Sequence, residues 1–121
     1  MLILGLALAG SAGALARYAV DAFVIRRAIR GLPAATLAIN VSGSLVLGVL
    51  TGLVLYHGFS TTAKTILGTG FCGAYTTFST FAYEVVRLFE QREHRAAALT
   101  LALSVVVPAL VAGLGLALAS R

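Results

Sequence analysis

Apolar residues run through this chain in four blocks, at about residues 2–24, 34–56, 62–89 and 96–119, separated by short polar or charged connections. Blocks of roughly 20 apolar residues match a hydrocarbon core of about 30 Å at a rise of about 1.5 Å per residue. Residues 1–121 therefore read as a single all-α domain of four transmembrane helices.

The third block departs from plain lipid-facing sequence. Gly68-Thr-Gly-Phe-Cys-Gly-Ala-Tyr-Thr-Thr-Phe-Ser-Thr-Phe81 is crowded with glycine, hydroxyls and aromatic rings, and between Lys64 and Glu90 the only charges are Glu84 and Arg87. An unbroken helix over 62–89 would be about 40 Å long, longer than the core it crosses, which leaves room for a break near Gly73–Thr77. Gly68, Gly70 and Gly73 weaken the helix there, and Thr76, Thr77, Ser79 and Thr80 can satisfy the backbone groups that a break frees. Non-helical backbone at membrane depth is tolerated only where protein or a water-filled cavity covers it, and it marks ion and substrate sites. This stretch is the expected functional centre.

The other blocks supply polar residues that could face it. In the first, Gly10, Gly13 and Ala14 form a small-residue face for close helix packing. Arg17 and Asp21, four residues apart, lie on one face, either as an intrahelical pair or with Arg17 as a fixed positive charge in the mouth of an anion pathway. The run that opens the chain lacks the positive n-region of a signal peptide, so it is expected to stay as a span. Arg26, Arg27 and Arg30 with Gly31 form the first connection, and Pro33 suits the opening turn of the next helix. In the second block Thr36, Asn40, Ser44 and Gly48 recur every four residues, and Gly48 with Gly52 makes a GxxxG packing pair. An unpaired amide in hydrocarbon costs several kcal/mol, so Asn40 must meet a partner or an aqueous path.

Phe78 and Phe81 share a helical face, with Tyr75 on nearly the same one, and the hydroxyls between them point to a protein or pore setting rather than lipid. His57 reads as an interfacial side chain and Cys72 as an inert buried one. The fourth block carries Thr100, Ser104 and Pro108 at four-residue spacing. Pro108 clashes with the carbonyl of Ser104, which predicts a kink, so Ser104 either repairs that kink or lines a polar path. Gly113 and Gly115 read as packing positions.

Composition narrows the function. The chain is 60% hydrophobic and 11% charged, with a mean hydropathy of +0.99, far from the roughly 25% charged residues of soluble domains. No soluble catalytic domain fits, and no enzyme activity is expected. The net charge of +5 comes from basic residues in short loops, where they set topology and meet headgroups, so no nucleic-acid partner is expected. One cysteine excludes an intramolecular disulfide and a cysteine metal cage.

Three motifs, Gly10-Ser-Ala-Gly-Ala-Leu-Ala-Arg-Tyr18, Thr36-Leu-Ala-Ile-Asn-Val-Ser-Gly43 and above all Gly70-Phe-Cys-Gly-Ala-Tyr-Thr-Thr-Phe-Ser-Thr-Phe81, resemble the Fluc (CrcB) fluoride channels. The resemblance implies a fluoride-specific channel of the bacterial plasma membrane that exports fluoride passively and lowers its toxicity. It further implies a dual-topology antiparallel dimer with two pores and a central structural Na+, which is not transported. Carried onto this chain, the Na+ ligands would be the backbone carbonyls of Gly73 and Thr76. Phe78, Phe81, Asn40, Ser79, Thr80 and Ser104 would line the pore, and Arg17 would sit in the vestibule. Two positions depart from the family pattern: Thr100 replaces a common fourth-helix tyrosine, and Tyr75 stands where a smaller or phenyl residue is usual.

The alternative function is a proton-coupled transporter of the small multidrug resistance type. It needs a carboxylate deep in a span, but Asp21 and Glu84 lie near span ends, Glu90 and Glu93 lie in a loop, and the chain has no tryptophan. A non-transporting assembly subunit is a third reading. Topology adds a question of partner. Arg26, Arg27, Arg30, Arg87, Arg92 and Arg95 lie on one side, against Lys64 and Arg121 on the other. That bias favours an N-terminus outside, whereas an antiparallel homodimer needs both orientations. The partner is then a second copy or an oppositely oriented paralogue.

Overall fold

A computed structural model describes residues 1–25 and 34–121. The elements are α1 (Leu2–Ile25), α2 (Ala34–His57), α3 (Thr61–Lys64), a π-helical segment (Thr65–Cys72), α4 (Gly73–Tyr75), α5 (Ser79–Glu90) and α6 (His94–Ala119), with no strand among the described residues. Among the described residues, three helices are long and apolar enough to cross a membrane: Leu2–Val24, Ala34–His57 and His94–Ala119. The third span is composite, with α3, the π-segment and α4 running on without interruption and α5 following after a break. The first connection, with Arg26, Arg27, Arg30, Gly31 and Pro33, lies outside the described residues.

Glycine sets the helix contacts. A Cβ on Gly48 would collide with the Ala112 carbonyl, and one on Gly52 would meet the Leu116 carbonyl at 3.0 Å. Helices α2 and α6 therefore lie side by side and parallel, at a constant offset in sequence. Gly115 closes the seam from the α6 side, where a Cβ would press on the Leu45 carbonyl at 2.6 Å, whereas Gly113 faces open space and does not serve the expected packing role. On the other side of the molecule a Cβ on Gly13 of α1 would run into the Phe71 carbonyl, and one on Gly70 would touch Ala9 Cβ at 3.0 Å. Small residues let backbones approach closely where burial gives no hydrophobic gain over lipid.

The break falls at the end of the expected stretch. Gly73 is still helical at φ −62° and ψ −37°, and the chain leaves the helix only at Thr76, with φ −78° and ψ 162°. The stretch with Gly68 and Gly70 is wound as a π-helix and is not ended there. Tyr75 consequently leaves the face of Phe78 and Phe81. It is buried, stacks on Phe71 at 5.7 Å and shares a 2.9 Å hydrogen bond with Ser42. Helix α6 continues through Pro108 to Ala119. His57, at the end of α2, is tied at 2.7 Å through Nε2 to the Ala119 carbonyl, so it joins the ends of the parallel pair.

Candidate functional site

The extended residues Thr76–Phe78 form a bridge between two helix ends, and side chains from three other spans gather on it. Asn40 Nδ2 donates to the Thr77 carbonyl at 2.8 Å, and the Thr77 N–H donates back to Asn40 Oδ1 at 2.9 Å. Asn40 thus treats Thr77 as one strand treats another. One amide proton of Asn40 is used in this way, and the other remains free to meet a ligand. On the far side of the break the Thr77 hydroxyl accepts from the Thr80 N–H at 3.2 Å, donates to the Thr80 hydroxyl at 3.1 Å, and lies 3.3 Å from Ser79 Oγ. It caps α5, a task that Phe78, the residue at the cap position, has no side chain to perform.

These bonds redirect the helical ladder. In an unbroken helix the Thr77 and Thr80 N–H groups would serve the carbonyls of Gly73 and Thr76. Here Thr77 N–H serves Asn40 and Thr80 N–H serves the Thr77 hydroxyl. Both carbonyls are left with acceptor capacity next to the break. Arg17 reaches the same point, donating from Nη1 to the Thr76 carbonyl at 3.5 Å, and no ion pair between Arg17 and Asp21 forms among the described residues. Of the two readings of Arg17, the intrahelical pair does not form, and a contact between spans takes its place.

Two cavities flank the bridge. One, of about 340 Å³, is lined by Asn40, Thr77, Phe78, Phe81 and Ser104 among others, with no carboxylate in its wall. The other, of about 240 Å³, is lined by Arg17, Asp21, Thr36, Thr77 and Thr80 among others. Of the residues expected to act together, Asn40, Phe78, Phe81 and Ser104 meet at the first cavity and Thr80 and Arg17 at the second. Ser79 lines neither and is exposed beside them. Thr77 belongs to both walls. The Phe78 and Phe81 rings meet edge to face at 5.4 Å and 74°. Phe81 is 6% exposed and Phe78 77% exposed, so one ring of the pair is anchored and the other is offered outward. Ser104 makes no side-chain bond to its own helix and lines the first cavity.

Residues that the sequence reading left aside also meet near the break. Thr36 donates to Glu84 Oε1 at 2.8 Å, joining α2 to α5. Tyr75 and Ser42 do the same for α4 and α2. Each partnership links residues more than thirty apart in sequence, and nothing local announces it. The four-residue polar stripe of α2 was the one available signal, because it puts Thr36, Asn40 and Ser44 on one face.

Comparison with known proteins identifies the family. Residues 4–116 match the family model for CrcB-like protein, Camphor Resistance (CrcB). The chain is 49% identical over 116 residues to fluoride-specific ion channel FluC 1 of Leifsonia xyli, covering 96% of this chain and 85% of that protein. It is 46% identical over 115 residues to FluC 2 of Mycolicibacterium paratuberculosis, covering 95% and 91%. It is 42% identical over 112 residues to FluC 2 of Mycobacterium tuberculosis, covering 93% and 86%. With three long apolar helices among the described residues and a composite third span built around the motif at 70–81, this multi-pass membrane protein is a member of the CrcB family of fluoride ion channels, and not an enzyme.

Proposed function

We propose that the protein conducts fluoride selectively and passively across the membrane, out of the cytoplasm, and so relieves fluoride toxicity. The observation that carries this reading is the cavity at the break, where hydrogen-bond donors and phenyl rings converge with no carboxylate among them. Fluoride is small and strongly hydrated, so a path for it must replace water with donors and still release the ion. The free amide proton of Asn40 and the Ser104 hydroxyl are such donors. The positive edges of Phe78 and Phe81 are weaker partners, and suit release. Ser79 and Thr80 extend the hydroxyl track towards the cavity beside Arg17, whose guanidinium raises the local anion concentration.

The working unit in this proposal is an antiparallel dimer. Gly73, Phe78, Ser79 and Thr80 are exposed on a single protomer, although a break in the backbone at membrane depth needs a cover. A second copy crossing at the break supplies that cover and the missing half of each pore wall; a paralogue of opposite orientation would serve equally. A structural Na+ fits the same place. The carbonyls of Gly73 and Thr76 have lost their helical donors, and such oxygens suit a hard monovalent cation. When bound, it would supply fixed positive charge at the crossing.

The proton-coupled transporter reading finds little support, because Asp21 is exposed and Glu84 is engaged by Thr36 away from the larger cavity. The deciding experiment loads liposomes with fluoride and sets the voltage with a potassium gradient and valinomycin. Fluoride should leave without a proton gradient, and chloride should stay. Efflux that needs a proton gradient, or equal passage of chloride, overturns the channel reading. Expression of this chain alone separates the homodimer from the paralogue heterodimer.

A further inference from the structure

Helix α1 carries two charges one turn apart, and they meet different fates. Arg17 Nη1 donates to the Thr76 carbonyl at 3.5 Å. The Asp21 carboxylate makes no hydrogen bond or ion pair among the described residues. It is exposed, yet it lines the smaller cavity, of about 240 Å³, together with Arg17, Thr36, Thr77 and Thr80. The order of the two charges in the chain favours this separation: a base four residues ahead of an acid runs against the helix macrodipole and makes the weaker form of such a pair, so little holds Arg17 back from the bridge.

Chain order fixes the depth of each group. At a rise of about 1.5 Å per residue, Asp21 lies about 6 Å beyond Arg17 towards the end of α1. Arg17 is level with the bridge, because it reaches Thr76. Thr36 lies one turn nearer the start of α2 than Asn40, which pairs with Thr77. The cavity therefore has an inner level at Arg17, Thr77 and Thr80 and an outer level at Asp21 and Thr36, and an anion arriving from this end meets Asp21 before Arg17. No charge on a neighbouring element compensates Asp21. Helix α2 brings only Thr36 and Ile39 to this wall. On α5, Glu84 accepts from Thr36 at 2.8 Å and stays out of the wall, while Arg87 is exposed further along and forms no ion pair with Asp21.

Pores discriminate by the sign of the side chains that ring them, and a charged mouth raises or lowers the local concentration of the ion that enters. We propose that Asp21 sets the rate of conduction: its unpaired carboxylate at the outer level of the cavity repels fluoride on the way to Arg17 and holds the current below what the same cavity would pass without that charge. The inference rests on the anion-conducting reading of the site, and adds to it a residue that acts through charge alone, with no contact to the bridge.

Fluoride currents of the full-length protein in planar bilayers test this. At low ionic strength Asp21→Asn, which keeps the size of the side chain, should raise the current by about two- to fivefold, because like charges a few ångströms apart repel appreciably even in water. Asp21→Glu, which keeps the charge, should retain the low current. In about 1 M potassium gluconate, where the Debye length is about 3 Å, the wild type and Asp21→Asn should converge. Asp21→Cys adds a comparison within one protein: an anionic sulfonate thiol reagent should hold the current low and a cationic trimethylammonium reagent should raise it, with the wild type, whose thiol is the buried Cys72, as the control. An Asp21→Asn current at or below that of the wild type at low salt, a gain that high salt does not remove, or the same response to both reagents overturns the proposal. Each of these leaves the channel reading standing, because the wild type still conducts; a wild type that passes no fluoride overturns both.

Discussion

Asn40 and Thr77 exchange two hydrogen bonds, at 2.8 and 2.9 Å, so that a side-chain amide on one helix completes the backbone of a break in another. Replacing Asn40 by alanine should leave a backbone N–H and a carbonyl unpaired in a low-dielectric setting, costing about 1–3 kcal/mol for each. Thermal unfolding in detergent should show a clear loss, and fluoride efflux from liposomes should fall with it. Asn40→Asp keeps the acceptor for Thr77 but loses both donors and adds negative charge, so its flux should be at least as low. Normal flux in both variants would confine Asn40 to a structural part.

The Phe78 and Phe81 rings meet edge to face at 5.4 Å. Replacing either by isoleucine keeps much of the bulk and removes the ring edge. Fluoride flux should drop sharply in each variant while the protein elutes from gel filtration as the wild type does. Because Phe81 is buried and Phe78 is not, Phe81→Ile should also lower thermal stability, by about 1 kcal/mol for a conservative core exchange, and Phe78→Ile should leave it nearly unchanged. Undiminished flux in both would assign the rings to packing.

Gly43 holds the break against α2. A Cβ there would collide with Thr76 Cγ2 and press on the Tyr75 ring at 3.2 Å. Gly43→Ala should therefore displace the bridge, costing about 1–3 kcal/mol as overpacking does. Its flux should fall more than that of Tyr75→Phe, which only removes the 2.9 Å bond to Ser42. Paired efflux and unfolding measurements check the order, and a silent Gly43→Ala would mean that the contact relaxes freely.

The proposed Na+ ligands are backbone atoms, so side-chain substitution at Thr76 is a poor probe. Exchanging sodium for a large organic cation on both sides of the membrane should reduce fluoride flux and loosen the dimer. Full activity after exhaustive sodium removal would refute the ion at Gly73 and Thr76.

The membrane class, the helical spans and the presence of a break in the third were legible in the chain itself, because apolar run length and the glycine-hydroxyl-aromatic motif at 68–81 are local properties. The pairing of small residues was legible too, at Gly13, Gly48 and Gly52, since close helix contact requires them wherever it occurs. Tertiary structure decided where the break falls. Local propensity pointed to the glycines, but a glycine run can relax into a π-turn and keep its hydrogen bonds, whereas Thr77 can leave the helix because Asn40 is there to replace the lost partner. It also decided that Arg17 turns from Asp21 to the Thr76 carbonyl, that Tyr75 faces Ser42 instead of the other rings, and that Glu84 meets Thr36. Sequence spacing fixes which residues share a face of one helix. Which face meets which neighbour depends on contacts between spans, and those exist only once the helices have packed.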